Sequence, residues 1–255
     1  MSTPSRASEQ RFSDRVANYV RYRPSYPDAV VAHLQNATGL APSALVADIG
    51  SGTGISAELF LRHGYEVYAV EPNREMRAAA EQSLGDRPAF HSVTGTAQAT
   101  TLSDHSMDLV IAAQAFHWFQ GAATRQEFTR ILKPGGWVAL IWNERLLEAT
   151  PFLHGYEQLH IQHATDYGQV RHENIGPEVL QSFFIDGQYQ TFTAPNEQRF
   201  DFPGLKGRLL SSSYAPAEGQ PGHEAMIADL ARLFDAHQVN GQVSIAYDTR
   251  VHLGH

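Results

Sequence analysis

The chain has no cysteine among its 255 residues. That excludes disulfides, cysteine-based zinc sites, iron–sulfur clusters and thiol nucleophiles at once, and it suits a reducing cytoplasm. Long apolar runs are also missing. No stretch approaches the roughly 20 residues that cross a bilayer. The opening MSTPSRASEQ is polar and lacks the apolar centre of a secretory signal. The expectation is a cytoplasmic protein with no membrane partner and a disordered terminus over residues 1–10. Basic runs are equally scarce: 19 Lys and Arg stand against 27 Asp and Glu, for a formal net charge of -8. Nucleic acid is therefore not an expected partner, since phosphate contacts ask for a basic face. There is no internal repeat.

What the chain does have is alternation. Phe12, Val16, Tyr19 and Val20 share one helical face. Pro24 ends that helix, and Pro27 or Asp28 opens another through His33 and Leu34. From Leu45 the pattern becomes strand, helix, strand. LVADI, EVYAVE, AFHSVTG, MDLVIAAQA and GWVALIWNE read as strands, separated by SAELFLRHG, REMRAAAEQSL and AATRQEFTRIL as helices. MDLVIAAQA is almost wholly apolar, as a strand covered on both faces should be. Farther on, QYQTFTAPNEQRFDF and VSIAYDTRVHLG alternate apolar and polar residues, with helical segments before and between them. The pattern predicts an α/β fold: a doubly wound, mostly parallel seven-stranded sheet with an antiparallel edge hairpin and an inserted helical cap. No linker composition divides residues 11–255, which are read as one domain.

The informative stretch is LVADIGSGTGISAELFLRHGYEVYAVEPNREM, residues 45–76. It places Asp48 before a turn containing Gly50, Ser51, Gly52 and Gly54, and Glu71 at the end of the next strand. Glycines at a strand-to-helix turn let a ligand approach the backbone, and the following helix offers free N–H groups. A P-loop would need Lys and Ser/Thr after the glycines, where this chain has Ile55 and Ser56. A dinucleotide fingerprint would need a third glycine where Ile55 stands, and Asp48 would repel a pyrophosphate. A ligand with an ammonium, a sulfonium and a ribose suits both acids. Asp48 would face the positive end, and Glu71 would accept from the ribose hydroxyls. S-adenosylmethionine has those parts.

VADIGSGTG, VYAVEP and RILKPGGWVALIW resemble the successive motifs of class I S-adenosylmethionine-dependent methyltransferases. AQAFHWF at 113–119, with FSDRVANYVRYRPSYP at 12–27, is similar to the type 11 small-molecule branch, which includes trans-aconitate-like methyltransferases. The resemblance implies that Asp48, Gly50, Ser51, Gly52 and Gly54 hold the methionine portion and Glu71 the ribose. It implies that Pro72, Met76, Ala97 and Gln98 line the adenine and that Gln114 lies beside the sulfonium. Where many relatives carry Asp-Ala-Glu, this chain has Thr96-Ala97-Gln98, so the adenine contact falls to backbone or to Gln98. In that frame residues 11–40 are lid helices, 45–145 the cofactor-binding core, and 150–255 a substrate-side cap with edge strands. The implied activity is methyl transfer to a small-molecule acceptor, a carboxylate or a hydroxyl. The rival readings are an NAD(P)-dependent oxidoreductase and a non-catalytic S-adenosylmethionine-binding protein.

Outside the loop, each candidate has two readings. His117 and Trp118 are either an aromatic pair packed under a loop, or a base and a substrate contact. Tyr19 and Arg23 are either ordinary helix residues, or part of a lid in which the planar Arg fork takes an anionic group. Ser211 to Tyr214 either end a helix or line the substrate side. The histidines at 154, 160, 163 and 172 read as a solvated face, with no metal site expected.

Overall fold

The computed structural model describes residues 16–164, 167 and 175–255. The terminus at 1–10, Phe12 and His172 lie outside the described residues.

Seven strands form one sheet: β1 (Leu45–Ile49), β2 (Glu66–Val70), β3 (Phe90–Val93), β4 (Met107–Ala113), β5 (Leu132–Arg145), β6 (Tyr189–Phe200) and β7 (Val243–Gly254). Their order is β3-β2-β1-β4-β5-β7-β6. The first five are parallel, and β7 runs antiparallel between β5 and β6. The chain winds outward from β1 to β3, then returns to place β4 on the other side of β1. The reversal leaves a crevice beyond the carboxyl ends of β1 and β4, the usual ligand position in such sheets.

Period-two burial explains the sheet. Val46 on β1 and Leu109 and Ile111 on β4 pack against α2 (Ala29–Thr38), α3 (Ile55–Arg62) and α4 (Arg74–Leu84). Their neighbours Ala47, Ile49, Val110 and Ala112 join the opposite face, under Phe128 and Ile131 of α5 (Ala122–Ile131) and Leu180 and Phe183 of α7 (Pro177–Phe183). Both faces are covered, so both sets of side chains must be apolar. Asn73 caps α4 by accepting from the Met76 N–H at 2.9 Å, and Thr150 caps α6 (Pro151–His163) by accepting from the Leu153 N–H at 3.1 Å.

A third apolar cluster builds the cap. Leu153 and Tyr156 of α6, Leu205 and Leu209 of α8 (Phe202–Leu210), and Met226 and Leu230 of α9 (His223–His237) meet Ile245 and Tyr247 at the start of β7. The expected antiparallel pair is present, and α8 and α9 connect its strands, as the helical segments read between them predict.

Three local features depart from the sequence reading. The short helix α7 follows Gly176 and opens on Pro177, too brief for periodicity to reveal. Phe116–Trp118 forms a single 3-10 turn. The N-terminal helix α1 (Val16–Tyr22) buries no residue fully, and Val20, placed by periodicity on the inner face, is 47% exposed. The reason is position: α1 covers the mouth of the crevice and does not pack on the sheet.

Candidate cofactor and substrate cleft

The crevice holds two adjoining chambers. Glu71, Pro72, Asn73, Met76, Thr96, Ala97, Gln98, Ala115 and Phe119 line one. Arg23, Ser51, Thr53, His117, Arg145 and Arg208 are among the residues lining the other, beneath the cap. Tyr19, Gly50, Gly52, Gln114 and Trp118 belong to both, and so form the wall and passage between them.

The glycine turn is shaped by its backbone. Gly50, Gly52 and Gly54 all have positive φ, at +71°, +57° and +86°. At Gly52 a Cβ would meet nothing within 4 Å, because it would project into the crevice. At Gly54 it would lie 2.6 Å from Leu84 Cδ1. Gly52 therefore keeps the chamber wall bare for a close approach, whereas Gly54 lets α3 pack on α4. Gly54 lines neither chamber.

The two acids occupy different depths. Glu71 is 8% exposed at the floor of the first chamber. Its Oε2 accepts from the Gly52 N–H at 2.9 Å and its Oε1 from the Asn73 N–H at 2.8 Å. The two amide donors fix the carboxylate in orientation. Asp48 is fully buried beneath the turn and lines neither chamber. Its Oδ2 accepts from Ser56 Oγ at 2.6 Å, while Oδ1 is sealed from solvent with no hydrogen-bond partner among the described residues. Burial pushes its pKa up to about 7, with the charge of Glu71 adding to the rise and the Ser56 and Ala57 donors opposing it. No cation among the described residues pairs with Asp48. An orphaned carboxylate oxygen under the turn, a second carboxylate at its lip and a bare glycine wall fit a ligand with a positive end and a vicinal diol.

The remaining expected residues fall as follows. Pro72, Met76, Ala97 and Gln98 line the Glu71 chamber, and Gln98 donates to Thr124 Oγ1 at 3.2 Å. Gln114 sits at the passage with φ +53°, a left-handed backbone that is uncommon for a non-glycine residue. Its Nε2 donates to the Asn143 carbonyl at 3.0 Å, which locks the side chain across the end of β5. Ser51 is buried on the cap side of the turn. His117 lines the cap-side chamber and tilts against Trp118, ring centroids 4.9 Å apart. The aromatic pairing and the cleft position, read as alternatives from sequence, therefore hold together.

Tyr19 lies at the passage, and Arg23 reaches the cap. The segment after α1 is tied across the molecule. Gln198 Nε2 donates to the Tyr22 carbonyl at 3.1 Å, and Asn196 Nδ2 to the Ser25 carbonyl at 2.7 Å. The Tyr22 ring lies where a Cβ on Gly207 would come within 2.1 Å of it. His160 is fully buried in the cap cluster, and His163 pairs with Asp229 at 2.7 Å. No group of metal-ligating side chains gathers among the described residues, and no described helix is long and apolar enough to cross a membrane.

Arg145 at the end of β5 and, from the cap, Tyr167, Arg208, Ser213, Tyr214 and Tyr247 also line the cap-side chamber, and of these the sequence points only to Ser213 and Tyr214. For Arg208 a signal was present: it shares the apolar face of α8 with Leu205 and Leu209, an odd place for a charge unless it has a task.

Comparison with known proteins bears on this geometry. Residues 47–140 match the model of a methyltransferase domain, Methyltransf_11. An uncharacterized methyltransferase of Mycobacterium tuberculosis is 37% identical over 134 residues, and a methyltransferase-like protein of Schizosaccharomyces pombe is 33% identical over 135. Residues 47–140 are thus similar to a methyltransferase domain. In both relatives the match spans 52% of this chain and 52% of the relative. A solved structure from Anaeromyxobacter dehalogenans, described as a type II methyltransferase, superposes with a TM-score of 0.68 at 22% identity, over 91% of this chain and 97% of that one. Phosphoethanolamine N-methyltransferase 2 of Haemonchus contortus, solved with S-adenosylmethionine, gives 0.56 at 14% identity, over 99% of this chain and 60% of that one. The methyltransferase fold thus extends over the cap as well as the core. The family match does not favour the oxidoreductase reading.

Proposed function

We propose that the chain transfers the methyl group of S-adenosylmethionine to a small-molecule acceptor bound beneath the cap. The observation that carries this reading is Glu71, pinned at the lip of the glycine turn above the uncompensated Asp48. On this reading Glu71 takes the ribose hydroxyls, and Pro72, Met76, Ala97 and Gln98 enclose the adenine. Gly50, Ser51 and Gly52 border the methionine portion, whose positive end lies in the field of Asp48. When bound, S-adenosylmethionine supplies an already electrophilic methyl carbon.

The chain then has to align an acceptor and keep water out. Alignment alone can supply much of the barrier reduction. Gln114, locked to Asn143, and Trp118 form the passage at which the acceptor atom must arrive. His117, beside that passage, takes the proton when the acceptor is a hydroxyl; a carboxylate acceptor needs no such help. The enclosed chamber and the net charge of -8 support a small molecule over a nucleic acid.

The test is a metabolite panel incubated with S-adenosylmethionine carrying a labelled methyl. The reading predicts label in at least one small molecule, and that Glu71→Gln raises the KM for S-adenosylmethionine. Binding without transfer to any member would favour a non-catalytic binding protein. With a hydroxyl acceptor in hand, His117→Ala should lower kcat most at pH values where the wild-type imidazole is neutral; full turnover at every pH would remove the base role.

A further inference from the structure

The cap-side chamber holds two arginines whose charges meet no carboxylate among the described residues. Arg208 is 6% exposed. Its Nε donates to the Tyr247 hydroxyl at 3.3 Å, and its Nη1 to Ser211 Oγ and Ser212 Oγ at 3.4 Å. Arg23 comes from the opposite side. Its Nη2 donates to the Ser211 carbonyl at 3.0 Å, its Nε is buried with no hydrogen-bond partner among the described residues, and its guanidinium sits 4.9 Å from the Tyr19 ring centroid. Both arginines line the chamber and converge on Ser211.

Their partners are carbonyl, hydroxyl and ring: groups that orient a guanidinium and leave its charge in place. Among the described residues neither arginine meets a carboxylate. The third arginine of the chamber is the contrast, for Arg145 pairs with Glu157 and with the Tyr167 hydroxyl. Burial, together with the like charge of Arg208, holds the Arg23 guanidinium below its ordinary pKa. Two desolvated cations side by side are unfavourable unless an anion completes the group, and a guanidinium with free N–H donors is shaped for a bidentate oxyanion.

We propose that Arg23 and Arg208 form an oxyanion clamp, so that the methyl acceptor is a small molecule carrying a carboxylate or a phosphate group. This rests on the methyl-transfer reading and names the substrate class of that site. The clamp joins the N-terminal segment to the cap, so the anion also fastens the cover of the chamber. Arg23 and Arg208 line only the cap side, and the passage residues are shared with the Glu71 chamber. A substrate held by the clamp therefore reaches toward Gln114 and Trp118 with its other end.

The test titrates citrate, benzoate and inorganic phosphate into the full chain saturated with S-adenosylhomocysteine. Wild type is compared with Arg23→Gln, Arg208→Gln and Arg208→Lys, and S-adenosylhomocysteine is titrated separately into each. The clamp predicts that at least one probe binds wild type and that both Gln variants weaken it about tenfold or more. Arg208→Lys should restore part of the loss, with S-adenosylhomocysteine affinity unchanged in all. Binding of citrate or benzoate assigns a carboxylate substrate, and binding of phosphate alone assigns a phosphate ester. Circular dichroism identifies a variant that fails to fold; Arg23→Gln, at the less buried position, then carries the test. No probe binding to wild type, or binding to both Gln variants as tight as to wild type, overturns the clamp. Anion binding that follows the arginines while S-adenosylhomocysteine binds nowhere would keep the clamp and overturn the methyl-transfer reading.

Discussion

The Gly52 amide nitrogen lies 2.9 Å from Glu71 Oε2, so the acid ending the second strand is tied to the glycine turn after the first. One hydrogen bond thus couples the shape of the turn to the direction of the carboxylate. Glu71→Gln keeps the size of the side chain and removes its charge. Hydrogen bonds to charged groups are worth about 1.5–3 kcal/mol, so S-adenosylhomocysteine affinity should fall roughly 10- to 100-fold by calorimetry, with the unfolding temperature little changed.

Gly52 and Gly54 should fail differently. Gly52→Ala places a methyl in the crevice, at a backbone cost of roughly 1–2 kcal/mol, and should lose cofactor affinity. Gly54→Ala drives a methyl to 2.6 Å from Leu84 and should lose about 1–3 kcal/mol of stability by overpacking, with the affinity of the folded fraction retained. Denaturant titration paired with calorimetry separates the two.

Asp48 predicts a pH dependence. Its folded pKa is raised from 3.8 to about 7, chiefly by burial. Between those values the folded form binds more protons than the unfolded one, so this group lowers stability progressively as pH rises through that window and holds it low above. Asp48→Asn should remove that fall and leave the cofactor-free protein more stable than wild type at pH 8, while weakening cofactor binding. Chemical denaturation from pH 4 to 8 reads the slope directly. A cation bound above Asp48 would also favour its ionised form, so wild type near pH 7 should release protons on binding S-adenosylhomocysteine. Calorimetry in buffers of different ionisation enthalpy measures that release, and Asp48→Asn should abolish it.

Gly207 predicts how α1 is held. A Cβ there would come within 2.1 Å of the Tyr22 ring, so Gly207→Ala should push the N-terminal segment off the cap. Limited proteolysis should then cut near residues 16–25 faster than in wild type, and the KM for S-adenosylmethionine should rise because Tyr19 borders both chambers.

The sheet was legible because a strand buried on both faces has no freedom in its composition: MDLVIAAQA and LVADI admit few other readings. The turn was legible because Asp48, Gly52 and Glu71 sit at fixed offsets along one strand–helix–strand unit. The cap was not. Arg23, Arg208 and Tyr247 come from three distant segments, and only the packing of α8 against the base of β7 brings them into one chamber. Asp48 shows a subtler limit: its residue type and offset were readable, but its depth beneath the turn depends on Ser56 folding back to it.

The central claim is that the Glu71 chamber holds S-adenosylmethionine. Calorimetric titration of S-adenosylhomocysteine into the full chain tests it most directly. The account predicts saturable binding at one site per chain, displaced by S-adenosylmethionine, indifferent to NADH and weakened about tenfold or more by Glu71→Gln. Absence of binding, or binding that NADH competes away, would contradict it.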